Sequence, residues 1–159
     1  MKRKIILVAV CLAALGAVSL RADDNPFVGK WKLNVAKSKF TPGPGLKSAN
    51  RTVVAEGSGA KYSQEGVAAD GTAFTYSFSS NYDGKDSVVS GSGMPGGADA
   101  VAITRVNPHK TTAVLKKDGK EIGKASAEVS KDGKTTTITA KGKGADGKEF
   151  SSVSVFDKE

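Results

Sequence analysis

The sequence predicts an all-β protein, a single antiparallel up-and-down β-barrel of about 8–10 strands. Three observations predict it. Short segments alternate apolar and polar residues, Asp-Gly pairs punctuate the chain at regular intervals, and almost no segment has the period of an amphipathic helix. Closing such strands into a barrel removes the unpaired edges that an open sheet exposes.

Residues 1–22 precede this pattern and are interpreted as a secretory signal peptide. Lys2 to Lys4 form a basic start, an almost unbroken apolar run extends to Leu20, and Ala22 offers a small residue for cleavage. An uncleaved membrane anchor is the alternative, but the run is shorter than the ~20 residues a spanning helix needs. We therefore expect an exported protein, periplasmic or secreted. Its mature domain, residues 23–159, is expected to be a monomer without a membrane span.

The charge of the mature domain is modest. The chain has 24 basic and 16 acidic residues, and the leader holds four of the basic ones and no acid, which leaves a net charge of +4. The lysines are spread over turns and polar strand faces, which argues against nucleic-acid binding. The mature domain also has no cysteine. Its core and hydrogen-bonded ladders must therefore hold it together without disulfides.

The first predicted strand covers residues 27–34. Its apolar face carries Phe27, Gly29, Trp31 and Leu33. One apolar and one mostly polar face are typical of a half-buried strand. We predict that Phe27, Gly29 and Trp31 form a plug that closes one end of the barrel, because the large indole ring fills space there.

A loop or short lid is predicted next, over residues 35–50, with one turn of helix around residues 36–40. The segment Pro42-Gly43-Pro44-Gly45 lies within it. Two prolines among four residues exclude a helix or a central strand at that point.

The rest of the chain predicts a series of short strands separated by turns. They cover residues 51–57, 60–65, 72–79, 85–90, 100–106, 111–117, 120–130, 134–141 and 149–157, with a flexible glycine-rich loop at 91–99. In the strand 72–79, Phe74, Tyr76 and Phe78 share one face. We expect this aromatic face to contact a ligand inside the barrel.

Five Asp-Gly pairs mark the turns, beginning at residues 70, 83, 118, 132 and 146. Asp-Gly suits the left-handed conformations of tight hairpin turns. The last three pairs are fourteen residues apart, which is the interval of one strand and one turn in a meander. A calcium site needs several closely spaced oxygen ligands in one loop. No loop has them, so we interpret the aspartates as turn residues.

The opening strand resembles the first-strand signature of the calycins, the lipocalins and fatty-acid-binding proteins, in which Gly-x-Trp follows an aromatic residue. Phe27, Gly29 and Trp31 carry the resemblance, and the chain's last residues are similar to the last strand of fatty-acid-binding proteins. The mature chain also resembles small exported bacterial proteins with a lipocalin-like domain and a Trp-Lys-Leu-Asn opening. The resemblance implies a lipocalin-like barrel with a cavity for a small apolar ligand.

The sequence departs from that family at its usual anchor. Fatty-acid-binding proteins hold the ligand carboxylate with an arginine and a tyrosine in the last strand, where this chain has Ser154 and Phe156. Their helical lid and the cysteine pair of lipocalins are also missing. Ser154 and Phe156 are therefore ligand-binding candidates, but the family's carboxylate site is not carried over.

Arg105 is the charged residue of most interest. It shares strand parity with Val101 and Ile103, so it points inward if they do. Three interpretations stay open: a cation–π cap on Trp31, a partner for the acidic head of a ligand, or a side chain that reaches solvent at the end of its strand.

Interior space is the second open question. Small residues recur at alternate positions of two strands: Gly123, Ala125 and Ala127, and then Thr136 and Ala140 on either side of Ile138. If they face inward they leave a cavity. If they face outward, or if the barrel is narrow, no cavity follows.

No residue set indicates an enzyme, a metal site or a cofactor. His109 is the only histidine and lies in a Pro-containing turn, where a solvated side chain is expected. The sequence thus favours a non-enzymatic, exported protein that binds a small apolar or amphipathic ligand. The alternative is a cell-envelope interaction module with a filled barrel, in which loops 41–45 and 91–99 form the contact surface.

Overall fold

The computed structural model describes residues 25–43, 45–144 and 146–159, so the predicted signal peptide lies outside the described residues. Twelve strands are found there: β1 Gly29–Leu33, β2 Lys39–Thr41, β3 Leu46–Glu56, β4 Gly59–Ala68, β5 Ala73–Ser80, β6 Asp83–Val88, β7 Ser90–Gly91, β8 Ala100–Asn107, β9 Lys110–Lys117, β10 Lys120–Val129, β11 Thr135–Lys143 and β12 Glu149–Lys158. Two 3-10 helices, Val35–Lys37 and Pro95–Gly97, complete the fold. No helix among the described residues is long and apolar enough to cross a membrane.

All strand pairs are antiparallel, and most strands pair with their neighbours in sequence. The sheet order is β6-β8-β9-β10-β11-β12-β1-β3-β4-β5-β7, and β2 pairs with β12. Pairing of β12 with β1 brings the two ends of the domain together, with Leu33 opposite Phe156. The ladder is interrupted only between β6 and the β5–β7 pair, so the barrel is nearly closed. This confirms the predicted all-β up-and-down barrel, because the strands beyond the predicted number, β2 and β7, have only 3 and 2 residues.

The prediction of a loop up to residue 50 was wrong, because β3 begins at Leu46. Residues 46–50 pair with β4 across a bulge between Leu46 and Ser48. Beside the bulge the two strands approach closely, since a Cβ at Gly66, which pairs with Ala49, would lie 2.3 Å from the Ser48 carbonyl oxygen. The sequence pattern does not indicate that β3 extends over residues 46–50. Exposed polar residues such as Lys47 leave this segment without a clear apolar face.

Four of the five Asp-Gly pairs lie in turns, as predicted, whereas Asp83-Gly84 begins strand β6. In every pair except Asp118-Gly119 the aspartate carboxylate accepts the N–H of the residue two positions later: Thr72, Lys85, Lys134 and Lys148, at 2.8, 3.1, 3.0 and 3.0 Å. The following glycines have φ between 71° and 93°, a region that suits glycine. The Thr72 N–H holds the pKa of Asp70 below its ordinary value. These carboxylates therefore stabilise turns.

The two ends of the barrel differ in what fills them. We call the end at Phe27, Trp31, Tyr62, Tyr82 and Arg105 the closed end. The opposite end, at Phe40, Pro42, Leu46, Pro95 and Phe150, we call the open end. All four aromatic rings of the closed end are buried, whereas those of the open end are only partly buried. Proline and glycine loops cross the open end, where Gly96 lies against Phe150.

Candidate functional site

Two adjoining cavities occupy the barrel interior. The larger has a volume of about 260 Å³ and the smaller of about 90 Å³. Both are lined by Arg51, Tyr76, Pro95, Ile138 and Ala140. The larger cavity reaches the surface at the open end, because its lining includes the exposed residues Thr41, Pro42, Gly93 and Ser151.

The interior space depends on small side chains, as one reading of the sequence predicted. Ala125, Ala127 and Ala140 line the smaller cavity together with Ile138. Thr136 is buried but lines neither cavity, and Gly123 lies at the rim against Phe150. A larger side chain at the alanines would fill the volume, so the inward placement of these residues creates the cavity.

The predicted aromatic face of β5 is divided between the cavity and the rim. Tyr76 lines both cavities, and Phe78 lines the smaller one. Phe78 stacks on Tyr62 with ring centroids 4.9 Å apart. Phe74 instead lies against Gly93 at the open end and lines neither cavity. The aromatic stripe thus runs from the depth of the barrel to its mouth.

The predicted residues of the last strand also face the interior. Ser154 and Phe156 both line the larger cavity. Phe156 is 2% exposed, and Ser154 is half-buried. Phe156 therefore forms part of the cavity wall, and the small side chain of Ser154 leaves open volume next to it.

A polar row crosses the wall of the cavities, and of its three members the sequence had pointed only to Tyr76. Arg51, Gln64 and Tyr76 lie directly opposite one another on β3, β4 and β5. Arg51 Nε donates to Gln64 Oε1 at 2.8 Å, and Arg51 Nη2 donates to the Tyr76 hydroxyl at 3.2 Å. Cross-strand neighbours share one face of a sheet. The row therefore presents its polar groups to the interior as one unit.

The positive charge of Arg51 has no acidic partner in the part of the chain that the structure describes. The salt bridges found there join lysines to Asp or Glu side chains at the surface. Arg51 is half-buried, whereas Gln64 and Tyr76 are 7% and 4% exposed. Its guanidinium carbon also lies 5.5 Å from the centre of the Phe156 ring. An arginine held in this way suits a planar anion.

Arg105 lies at the closed end. Its guanidinium carbon is 3.9 Å from the centre of the Tyr82 ring and 5.8 Å from that of Phe27, and Nη1 donates to the Pro108 carbonyl at 3.3 Å. Arg105 does not line either interior cavity. The interpretation that Arg105 caps Trp31 was wrong, because its cation–π contacts are with Tyr82 and Phe27 and Lys158 lies over Trp31 instead. A role in ligand binding stays a prediction without support from the cavity lining.

The residues predicted to plug the barrel lie together. Trp31 is 1% exposed, and its indole N–H donates to the Phe27 carbonyl at 2.9 Å. The Nζ atom of Lys158 lies 5.0 Å from the ring centre of Trp31. A Cβ at Gly29, where φ is 141°, would lie 2.7 Å from Lys158 Cε. Phe27 lines the smaller cavity and so forms part of its floor.

A buried hydrogen-bond network supports this floor. The hydroxyl oxygens of Tyr62 and Tyr82 are 2.7 Å apart, and Asn25 Nδ2 donates to the Tyr82 hydroxyl at 3.0 Å. Burial, with the neighbouring Tyr82, raises the pKa of Tyr62 well above its ordinary value. The floor is therefore sealed from water by aromatic rings whose polar atoms are paired.

No group of three or more His, Cys, Asp or Glu side chains that could hold a metal ion occurs among the described residues. His109 Nδ1 lies 3.2 Å from the Val129 carbonyl oxygen, in the turn between β8 and β9. Its ring thus contacts the backbone of a neighbouring strand at the closed end, and His109 lines neither interior cavity.

Comparisons with known proteins bear on the fold. Neither protein-family models nor curated proteins give a match. Among solved structures, the chain is similar to zebrafish ileal bile acid-binding protein in complex with cholic acid. The two are 16% identical with a TM-score of 0.50, over 84% of this chain and 99% of that chain. The likeness supports the antiparallel β-barrel fold.

Proposed function

We propose that the protein is an exported, non-enzymatic binding protein for a small apolar or amphipathic molecule, which it holds inside the barrel. The interior cavity of about 260 Å³ carries this proposal. Small-molecule sites are concave, mostly apolar and provided with a few placed polar groups, in volumes of roughly 300–1,000 Å³. The cavity volume lies just below that range, so a small ligand fits best.

The walls of the cavity support the same proposal. Ile138, Ala140 and Phe156 provide apolar surface, and the Arg51 row provides the polar groups. The similar bile acid-binding protein is a precedent for a ligand in a barrel of this shape. Export is supported by the leader-like pattern of residues 1–22. The alternative function, an envelope interaction module, requires a filled barrel, whereas here both predicted contact loops contribute residues to the cavity mouth.

A cavity-filling variant tests the proposal. The mature protein, purified without detergent, is expected to enhance the emission of an apolar fluorescent dye and to release a small molecule on extraction with organic solvent. In Ser154→Phe the new ring enters the larger cavity, so we expect dye affinity to fall by about 10-fold or more. A loss of this size corresponds to ~1.4 kcal/mol.

Val153→Phe is the matched control, because Val153 precedes Ser154 on β12 and lines neither cavity. It is expected to bind the dye like the wild type. Equal dye affinity in all three proteins, or no dye binding and no extracted molecule in the wild type, would contradict the proposed function.

A further inference from the structure

The Arg51–Gln64–Tyr76 row lies where a ligand would pass from the mouth to the floor. Arg51 and Tyr76 line both cavities, and Gln64 lines the larger one. On the far walls, Ile138 and Ala140 line both cavities as well. An amphipathic molecule in this space would have its polar group at the row and its apolar part against those walls.

The partly buried positive charge of Arg51 would be stabilised by an anion. A cation taken partly out of water is costly unless an opposite charge or several acceptors compensate it. The acceptors that the structure shows are the neutral groups of Gln64 and Tyr76. No carboxylate of the described residues forms an ion pair with Arg51.

The hydrogen bonds of the row also set the direction of the guanidinium. Nε and one N–H of Nη2 are used by Gln64 and Tyr76, which holds the plane of the group. The guanidinium has five N–H groups, and the end formed by Nη1 and Nη2 is the one that grips a carboxylate with two parallel bonds. Because the Tyr76 hydroxyl accepts from Arg51, its own proton is left to donate to the same anion.

From these observations we propose that the Arg51–Gln64–Tyr76 row binds the carboxylate of a small amphipathic ligand whose apolar tail occupies the remaining cavity. This inference rests on the proposed function and names its ligand class, a short-chain or medium-chain organic acid. The anchor lies on β3 to β5, and the last strand contributes Ser154 and the ring of Phe156 to the larger cavity.

Octanoate and octan-1-ol test the inference, because they share a tail and differ in the head group. Binding is measured by titration calorimetry on the mature protein. We expect the wild type to bind octanoate about 10- to 100-fold more tightly than octanol, the range that hydrogen bonds to a charged group support. Arg51→Met should lose that preference, since it removes the cationic group while the methionine retains an apolar stem.

Two further variants separate a binding role from a structural one. Tyr76→Phe removes one hydroxyl and should weaken octanoate alone, by about 3- to 10-fold, and it serves also if Arg51→Met does not fold. Arg105→Met makes the same charge change at the closed end and should keep the full preference for octanoate.

The outcomes distinguish the inference from the proposed function. If the wild type binds octanol as tightly as octanoate, or if Arg51→Met and Tyr76→Phe both keep the preference, the inference is wrong while the binding function stands. If neither compound binds and no dye binds, the proposed function fails and the inference with it.

Discussion

The closed and open ends of the barrel are built from the same strands but differ in how tightly their side chains pack. At the closed end, Trp31 and Phe27 are 1% and 4% exposed, and the tyrosine hydroxyls pair with each other. At the open end, Phe40 and Phe150 are only partly buried, and Pro42 and Gly93 stand at a cavity mouth. Dense packing fixes a single structure. Loose packing leaves room for a ligand at a cost in stability.

The same contrast holds for the two arginines. Arg105 stacks on an aromatic ring of the closed end, with its guanidinium 3.9 Å from the Tyr82 ring centre and a bond to the backbone at Pro108. Arg51 faces inward between the two cavities, and among the described residues its hydrogen bonds go to the neutral groups of Gln64 and Tyr76. Arg105, stacked on a ring and bonded to a backbone carbonyl, has a packing role. Arg51, which faces the cavities and has no acidic partner among the described residues, is available to bind an anion.

The largest expected effect is that of removing the plug. Trp31→Ala should lower the free energy of unfolding by about 3–5 kcal/mol, because it deletes a fully buried ring and leaves a void. The matched change at the open end, Phe150→Ala, should cost only about 1 kcal/mol, since that ring is half-buried. Urea unfolding followed by circular dichroism measures both. Equal losses would show that the two ends do not differ in packing.

Two turns at opposite ends provide a second pair of matched changes. Gly133 and Gly119 have φ of 71° and 74°, and a Cβ at either would meet nothing within 4 Å. Valine at each position should therefore cost roughly 1–2 kcal/mol through backbone strain alone. We expect equal losses in urea unfolding. A clearly smaller loss for Gly119→Val would show that the open end relieves strain by local opening, and unchanged stability in both would overturn the strained-turn assignment.

The sequence predicted the barrel well because its signals are local. The period of two in 27–34 and the Asp-Gly turns each act over a few residues, and they placed most strands within a few positions. The missed part of β3 is the reverse case. Residues 46–50 are held by pairing with β4 around a bulge, and neither a period nor a turn signal marks them.

The polar row was missed because it depends on register. Arg51, Gln64 and Tyr76 are separated by 13 and 12 residues in the sequence, and only the two connecting hairpins bring them together. The turn between β3 and β4 pairs Glu56 with Gly59, and the same register sets Arg51 opposite Gln64. A shift of one residue would turn every side chain to the other face. The predicted hairpins contained the information needed to align Arg51 with Gln64. The parity of a single strand, in contrast, pointed to Arg105.

The smallest expected effect concerns the seal of the closed end at high pH. Because burial raises the pKa of Tyr62 above its ordinary value of 10.0, the neutral phenol stabilises the fold below pH 10 and this stabilisation is lost as the pH rises further. The unfolding free energy should then fall by up to about 1.4 kcal/mol per pH unit from this group. Tyr62→Phe removes the ionisation, so its stability should fall less steeply between pH 10 and 11. All other side chains are the same in both proteins, which leaves Tyr62 as the source of the difference. Equal slopes would mean that water reaches the phenol and that the closed end is not sealed.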